Sequence, residues 1–344
     1  MHWFWVCFAI FFIWFLVINN EFYFFYTFTC PVGKGTFLMK KFNFDKYKRT
    51  FVISMMMMPG VLWLLIFRYI PMIGGVIAFQ EYRPYPPNPT VVNNILNSRF
   101  VGLDNFQFIF ASDRAWNMII NTILYNAVFI VLTMTFSIAL AICLTEIGKR
   151  FFAKLYQTLM FFPFFVSWVV ASYFVFAFLD PTFGVLSDVR NWYFDATGWP
   201  VILTISHLWK NLGFNCIIFA AAITSIDHGQ YEAAAIDGAS RFKQIFTITI
   251  PNIKSMITIL FIMQVGRILA ADFGLFWQIP MNSGALQRIT EVFDTYVFRV
   301  MQLSVPGSIG MATAAGLFQS VIGLLCVLTA NAVVRKVDEE NAMF

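Results

Sequence analysis

Long apolar stretches with almost no charge recur along this chain, and they constrain its fold more than any other feature. The hydrocarbon core of a bilayer is about 30 Å thick and takes about 20 apolar residues in a helix to cross. Thr50 to Phe67 opens one such stretch, which continues past Arg68 to Gln80. Others run from Ala115 to Thr145, Leu155 to Leu179, Pro200 to Ile226 despite Lys210, Met256 to Ile279 despite Arg267 and Asp272, and Ser304 to Val334. Six membrane helices are therefore predicted, in an all-α polytopic chain. Of the 344 residues, 59% are hydrophobic and 12% charged, against about 45–50% and about 25% in soluble domains. That balance excludes a disordered chain and a strongly basic nucleic-acid-binding one.

Lysine and arginine set the expected orientation, because cytoplasmic flanks retain positive charge. One set of flanks carries Lys40, Lys41, Lys46, Lys48 and Arg49, then Lys149, Arg150 and Lys154, then Arg241, Lys243 and Lys254, then Arg335 and Lys336. The opposite set carries Arg83, Arg99, Arg114, Arg190, Arg288 and Arg299, and no lysine. Both ends of the six-helix unit are thus expected in the cytoplasm, with the chain crossing a cell membrane several times. The first outer loop holds Arg83-Pro84-Tyr85-Pro86-Pro87-Asn88-Pro89, which is not helical because proline lacks a donor and restricts its predecessor. A short interfacial helix is expected over Leu103–Ala111, and Pro280–Leu303 reads as another long outer connection.

Residues 1–38 stand apart as an N-terminal hydrophobic extension. Trp3–Ile18 is apolar, yet Asn19, Asn20 and Glu21 interrupt it and no basic region precedes it as in a secretory signal. Whether it forms an extra helix is open. The remainder divides into residues 39–114, with the first span and its outer loop, a five-helix core over 115–336 with a cytoplasmic loop at 227–252, and a tail at 337–344.

The residues that carry most covalent chemistry are scattered. Cys7, Cys30, Cys143, Cys216 and Cys326 form no C-x-x-C pair, and His2, His207 and His228 lie at no metal-ligand spacing. Gly148-Lys149 lacks the earlier glycine and the following Ser or Thr of a phosphate-binding loop. A non-catalytic chain that binds no metal or cofactor of its own is expected.

Between the fourth and fifth spans lies Asp227 to Ser240, continued by Arg241 to Pro251. Glu232–Ile236 is strong helix-forming sequence, Gly238 is a natural stop and Pro251 interrupts the second helical stretch, so helix, turn, helix is predicted. Its alanines offer a narrow surface for another protein's groove; a solvated hairpin is the plainer alternative. The string Glu232-Ala233-Ala234, three residues, Gly238, nine residues, Ile248-Thr249-Ile250-Pro251 resembles the cytoplasmic signature of binding-protein-dependent ABC import permeases, with Ile250 where that pattern has Leu. Arg68 to Met72, Ala78 to Tyr82, Val101 to Phe106, Asn121-Thr122, Gln157 to Val169 and Trp209 to Gly213 are similar to its carbohydrate-importing branch. The resemblance covers about Met39 to Lys336. It implies the six-helix type I ABC importer fold, and a subunit whose Glu232, Ala233, Ala234, Asp237, Gly238, Ile248 and Pro251 couple to a cytoplasmic ATPase. It also implies two such ATPase subunits holding the ATP and Mg, a second homologous permease, an extracytoplasmic solute-binding protein and a saccharide as cargo.

Ionisable groups at membrane depth cost about 2.5–3.5 kcal/mol on insertion scales and call for an interior or aqueous explanation. His207 and Lys210 share a face of the fourth predicted helix, and Gln264 and Arg267 share one on the fifth, with Asp272 further along. With Trp209, Trp168, Phe276 or Trp277 as ring platforms they are candidate pathway residues for a polyhydroxylated or acidic sugar. The alternative is structural: Lys210 or Arg267 paired with Asp272, and tryptophans in interfacial belts. An ion-coupled secondary transporter explains Arg267 and Asp272 too, but calls for interrupted spans in two repeated halves. A membrane enzyme calls for clustered acids or histidines.

Overall fold

Proline and glycine decide where the helices of this chain widen, bend and stop. The computed structural model describes residues 44–83, 90–110, 113–147, 150–186, 188, 190–302 and 307–337. The 1–38 extension, the Pro84–Pro89 segment, Lys149 and most of the 337–344 tail lie outside the described residues. The chain divides into two units, Met1–Trp63 and Leu64–Phe344. In the first, the described residues belong to helix α1 (Phe44–Leu64).

The second unit opens with a π turn, Leu65–Tyr69, followed by α2 (Ile70–Ile73) and a 3-10 stretch, Gly74–Phe79. Pro71 explains the π turn: its ring collides with a carbonyl four residues back, and the widened turn instead passes the Ile70 N–H to the Leu65 carbonyl, five residues back. An antiparallel ribbon of β1 (Gln80–Glu81) and β2 (Arg99–Phe100) encloses α3 (Val91–Asn97). Buried Asn105, on the four-residue α4 (Asp104–Gln107), donates to the carbonyls of Ala78 and Gln80, both at 2.9 Å.

Helices α5 (Asp113–Thr145) and α8 (Trp199–Thr224) run side by side in the same direction. Near their N-termini Tyr125 and Phe129 pack with Trp199 and Leu203; further along, Ile130, Met134 and Ala141 pack with Cys216, Phe219 and Ile223. Between them in sequence come α6 (Arg150–Phe165) and α7 (Trp168–Leu179), bent by 98° at their junction. The third predicted span is therefore a broken pair. After α8 the chain forms α9 (His228–Ile236), α10 (Arg241–Gln244), a second π turn (Ile245–Thr249) before Pro251, and α11 (Ile250–Asn252). A 60° bend leads into α12 (Lys254–Val265). Then come α13 (Phe273–Gln278), α14 (Gln287–Thr290), α15 (Phe293–Gln302) and α16 (Ser308–Val337).

Among the described residues four helices are long and apolar enough to cross a bilayer singly, and six spans result if each bent pair counts as one. The fifth differs from its sequence pattern. Hydropathy predicts a continuous helix over Met256–Ile279, but α12 ends at Val265 and the backbone unwinds until Asp272 caps α13. In a bilayer such backbone survives only if protein satisfies its polar groups. Asn126 of α5 donates to the Ile268 carbonyl at 2.7 Å, Gln319 of α16 to the Leu269 carbonyl at 2.9 Å, and the Ala271 N–H donates to Asp294 of α15 at 2.8 Å. A Cβ on Gly323 would stand 2.4 Å from the Gly266 carbonyl oxygen, so α16 approaches this break only through glycine. The Pro280–Leu303 connection is likewise largely helical, through α14 and α15.

Candidate functional site: an exposed helical loop and two joined helix breaks

The loop at 227–252 folds as its turn residues dictate. Asp227 caps α9 by accepting from the Gly229 N–H at 3.1 Å, and Ser240 caps α10 by accepting from the Lys243 N–H at 3.4 Å. Gly238 sits at φ +77°, in the left-handed region that ends a helix, and the Ala239 N–H returns to the Ala234 carbonyl at 2.9 Å. The two limbs are pinned to each other: the Tyr231 hydroxyl meets Thr249 Oγ1 at 2.9 Å, and Asn252 donates to Gln230 Oε1 at 3.2 Å. Arg241 lies 3.8 Å from Glu146 at the far end of α5. The loop is thus a stiff projection fastened to the bundle.

Its outer surface is unburied. Glu232, Ala233, Asp237, Gly238 and Pro251 are exposed, while Ala234 and Ile248 are half-buried against the other limb. Ile236 is 88% exposed on the first limb, and Phe242 and Phe246, paired with each other on the second, are exposed as well. His228, Tyr231, Glu232, Gly238 and Arg241 border a cavity of about 570 Å³ on this projection. Fully burying one such aliphatic side chain is favourable by about 1.5–3 kcal/mol, so a partner that covered this surface would gain that much from each.

Lys210 does not meet Asp272 directly. Its ammonium donates to the carbonyls of Phe164, at 3.1 Å, and Val166, which the break after α6 leaves free, and so caps that helix end. It also lies 5.2 Å from the centroid of the Trp168 ring. The Trp168 indole N–H donates to Asp272 Oδ2 at 2.7 Å, and Asp272 Oδ1 accepts from the Gly274 N–H at 3.0 Å. One indole therefore ties the α6–α7 break to the α12–α13 break, with a cation on one side and a carboxylate on the other.

The other candidates are dispersed. His207 stacks on Phe129, 4.0 Å between centroids and 7° from parallel, and forms part of an aromatic wall with Phe276. Trp209 is exposed, Gln264 is half-buried just before α12 ends, and Arg267 is exposed on the unwound stretch. Trp277 belongs to a second cluster, with Phe273 at 5.4 Å, Phe298 at 5.0 Å and the Arg299 guanidinium 4.9 Å above its ring. Beside it Asp294 is held above the ordinary carboxylate range by burial, opposed by hydrogen bonds from Ala271 and Gln319. On α16, Ala312, Gly316 and Ser320 recur at four-residue intervals, but Gly316 has open space where a Cβ would stand, and Ala314 and Ala315 are the buried small residues of that helix.

Several residues at these breaks carry no local sequence signal. Trp168 reads from sequence as a ring platform or belt residue and not as a donor to Asp272, and Asn126, Gln319 and Asp294 act on backbone far away in the chain. Glu291, 4% exposed, accepts both Arg114 donors, at 2.6 and 2.7 Å, with Arg299 at 3.3 Å. From sequence Arg114 and Arg299 read only as outer charges.

A family model described as the binding-protein-dependent transport system inner membrane component matches residues 144–339. The chain belongs to that family. This permease is 32% identical to Protein LplB of Bacillus subtilis (strain 168), over 90% of its own length and 95% of the relative's. It is also 32% identical to the polygalacturonan/rhamnogalacturonan transport system permease protein YteP of the same strain, over 87% and 95%. Among solved structures, the permease resembles a chain of a bacterial ABC transporter involved in the import of the acidic polysaccharide alginate, with TM-score 0.72, 30% identity, and 86% of this chain and 99% of that one covered. A bacterial alginate ABC transporter in complex with alginate pentasaccharide-bound periplasmic protein matches with TM-score 0.72 and 29% identity, over 86% and 98%. The permease therefore has the type I ABC importer fold.

Proposed function

We propose that this permease carries an oligosaccharide inward through an ATP-driven importer, with a second homologous permease completing the pathway, two ATPase subunits on the cytoplasmic side and an extracytoplasmic binding protein delivering the sugar. The single observation that carries this reading is the rigid, uncovered projection of Glu232 to Pro251. ATP-driven closure of the ATPase pair pulls on α9, and the rigid pins to α11 pass that movement to α8 and α12, opening the cavity outward; hydrolysis reverses it. Relatives described as handling polygalacturonan, rhamnogalacturonan and alginate favour an acidic saccharide. Exposed Arg267 on the unwound stretch supports that class as a charge-assisted donor to a uronate carboxylate. Basic residues Arg241, Lys243 and Lys254 in and beside the projection favour a cytoplasmic position for it. Unwound backbone alone fits an ion-driven transporter equally well; the family membership favours the ATP-driven one.

Uptake into vesicles holding the reconstituted assembly tests the reading. Accumulation is expected only with internal ATP, the ATPase and external binding protein together, and is expected to survive collapse of the proton and sodium gradients. Uptake driven by an ion gradient without ATPase contradicts it.

A further inference from the structure

The permease carries a cationic pocket stacked directly on an apolar groove, at the end of the bundle opposite the Glu232–Pro251 projection. The pocket, about 330 Å³, is lined by Arg114, Asn117 and Asn121 of α5 and by Gln287, Arg288 and Glu291. The groove, about 450 Å³, shares Asn121 and continues between Leu124 and Val128 of α5, Val201 and Ile205 of α8, and Ile289. Residues 114, 117, 121, 124 and 128 lie along one helix face. That face is polar for its first seven residues, about 10 Å of rise, and apolar for the next seven. Half a bilayer with its headgroups measures about 20–22 Å, so the stripe, about 21 Å in all, matches the length of one lipid.

Charge agrees with shape. Arg114 spends Nε and Nη2 on Glu291 and Gln287, and its Nη1 has no hydrogen bond among the described residues. Exposed Arg288 has no ion pair among the described residues, and its carbonyl accepts from Asn121. Glu291 is shared by Arg114 and Arg299, and Arg288 adds a further guanidinium to the pocket lining. Below, Leu124, Val201 and Ile205 are each about 60% exposed and present hydrocarbon to hydrocarbon.

We propose that this pocket and groove hold one acidic phospholipid, its phosphodiester on Arg114 and Arg288 and one acyl chain along Leu124, Val128, Val201 and Ile205. The proposal is independent of which solute the transporter carries. It commits to a lipid, since a free anion leaves the groove unused and a partner helix leaves the arginines without a counter-charge.

The test uses the assembled transporter, solubilised from vesicles of equal phosphatidylglycerol and phosphatidylcholine and washed in detergent, with retained lipid counted by mass spectrometry. Retention of phosphatidylglycerol over phosphatidylcholine is expected, undiminished by excess inorganic phosphate. Arg288→Gln is expected to reduce the preference about fivefold, as expected for one basic residue near a lipid surface, and Val201→Trp to abolish retention by filling the groove. Equal retention of both lipids, displacement by phosphate, or no change in either variant overturns the proposal. Should a variant fail to assemble, Val201→Cys decides: labelling by a lipid-soluble maleimide that is lost only when the second permease is present makes the groove a protein interface and also overturns it. Labelling that persists in the assembly and falls as phosphatidylglycerol is added supports it.

Discussion

Lys210 shows how a membrane-depth charge finds employment in backbone geometry. Its ammonium caps the carbonyls that the bend after Phe165 sets free, so Lys210→Met strands those acceptors at about 1–3 kcal/mol, whereas Lys210→Arg retains a donor. The expected outcome is a lowered unfolding temperature of the solubilised permease for Met and a smaller change for Arg. Asp294 gives a second contrast. Burial raises its pKa, so the native state holds the proton more tightly than the unfolded chain, and this group's contribution to stability declines as pH rises through the native value. Asp294→Asn keeps an oxygen for the Ala271 N–H and sheds the buried charge, so it is expected to cost less than Asp294→Ala and to flatten the pH dependence of thermal stability. At this scale the sequence locates charged residues that need an explanation but not what they touch. Asp272 reads as a residue within a helix, although Asp272-Phe273-Gly274 is also a cap signal, and the Trp168 partner lies on another span.

The elements divide by how local their causes are. α5, α8 and α16 arise from hydropathy, and α9 with its glycine stop arises from Asp227, the alanine run and Gly238. The break between α12 and α13 does not, because both halves are apolar and the groups that satisfy the unwound backbone, Asn126, Asp294 and Gln319, are remote in sequence. Pro163 marks the third span without revealing that the bend falls after Phe165. Two expectations belong to the projecting loop. Gly238→Val forces a β-branched residue to positive φ with nothing to clash against, so its cost is conformational, about 1–2 kcal/mol, and Gly238→Asn costs less. Transport rates at equal membrane abundance are expected to fall most for Val and less for Asn. Ile236→Asp removes an uncovered apolar side chain, and loss of about 1.5–3 kcal/mol predicts roughly ten- to hundredfold weaker association with the ATPase, with the permease still membrane-inserted.

The whole molecule divides its labour between a bundle with two broken spans joined through Trp168 and a stiff handle fixed to one end of it. Under the proposed reading the charge asymmetry of the flanks points that handle toward the cytoplasm, where the proposed ATPase docks. The most direct measurement places a lone cysteine at position 236 in a chain whose five native cysteines are replaced, and follows its reactivity toward a membrane-impermeant maleimide. A handle for the ATPase reacts only from the cytoplasmic side, is strongly protected once the ATPase is bound, and cross-links to the ATPase through that cysteine. Reaction from outside, or reactivity unchanged by the bound ATPase, contradicts it.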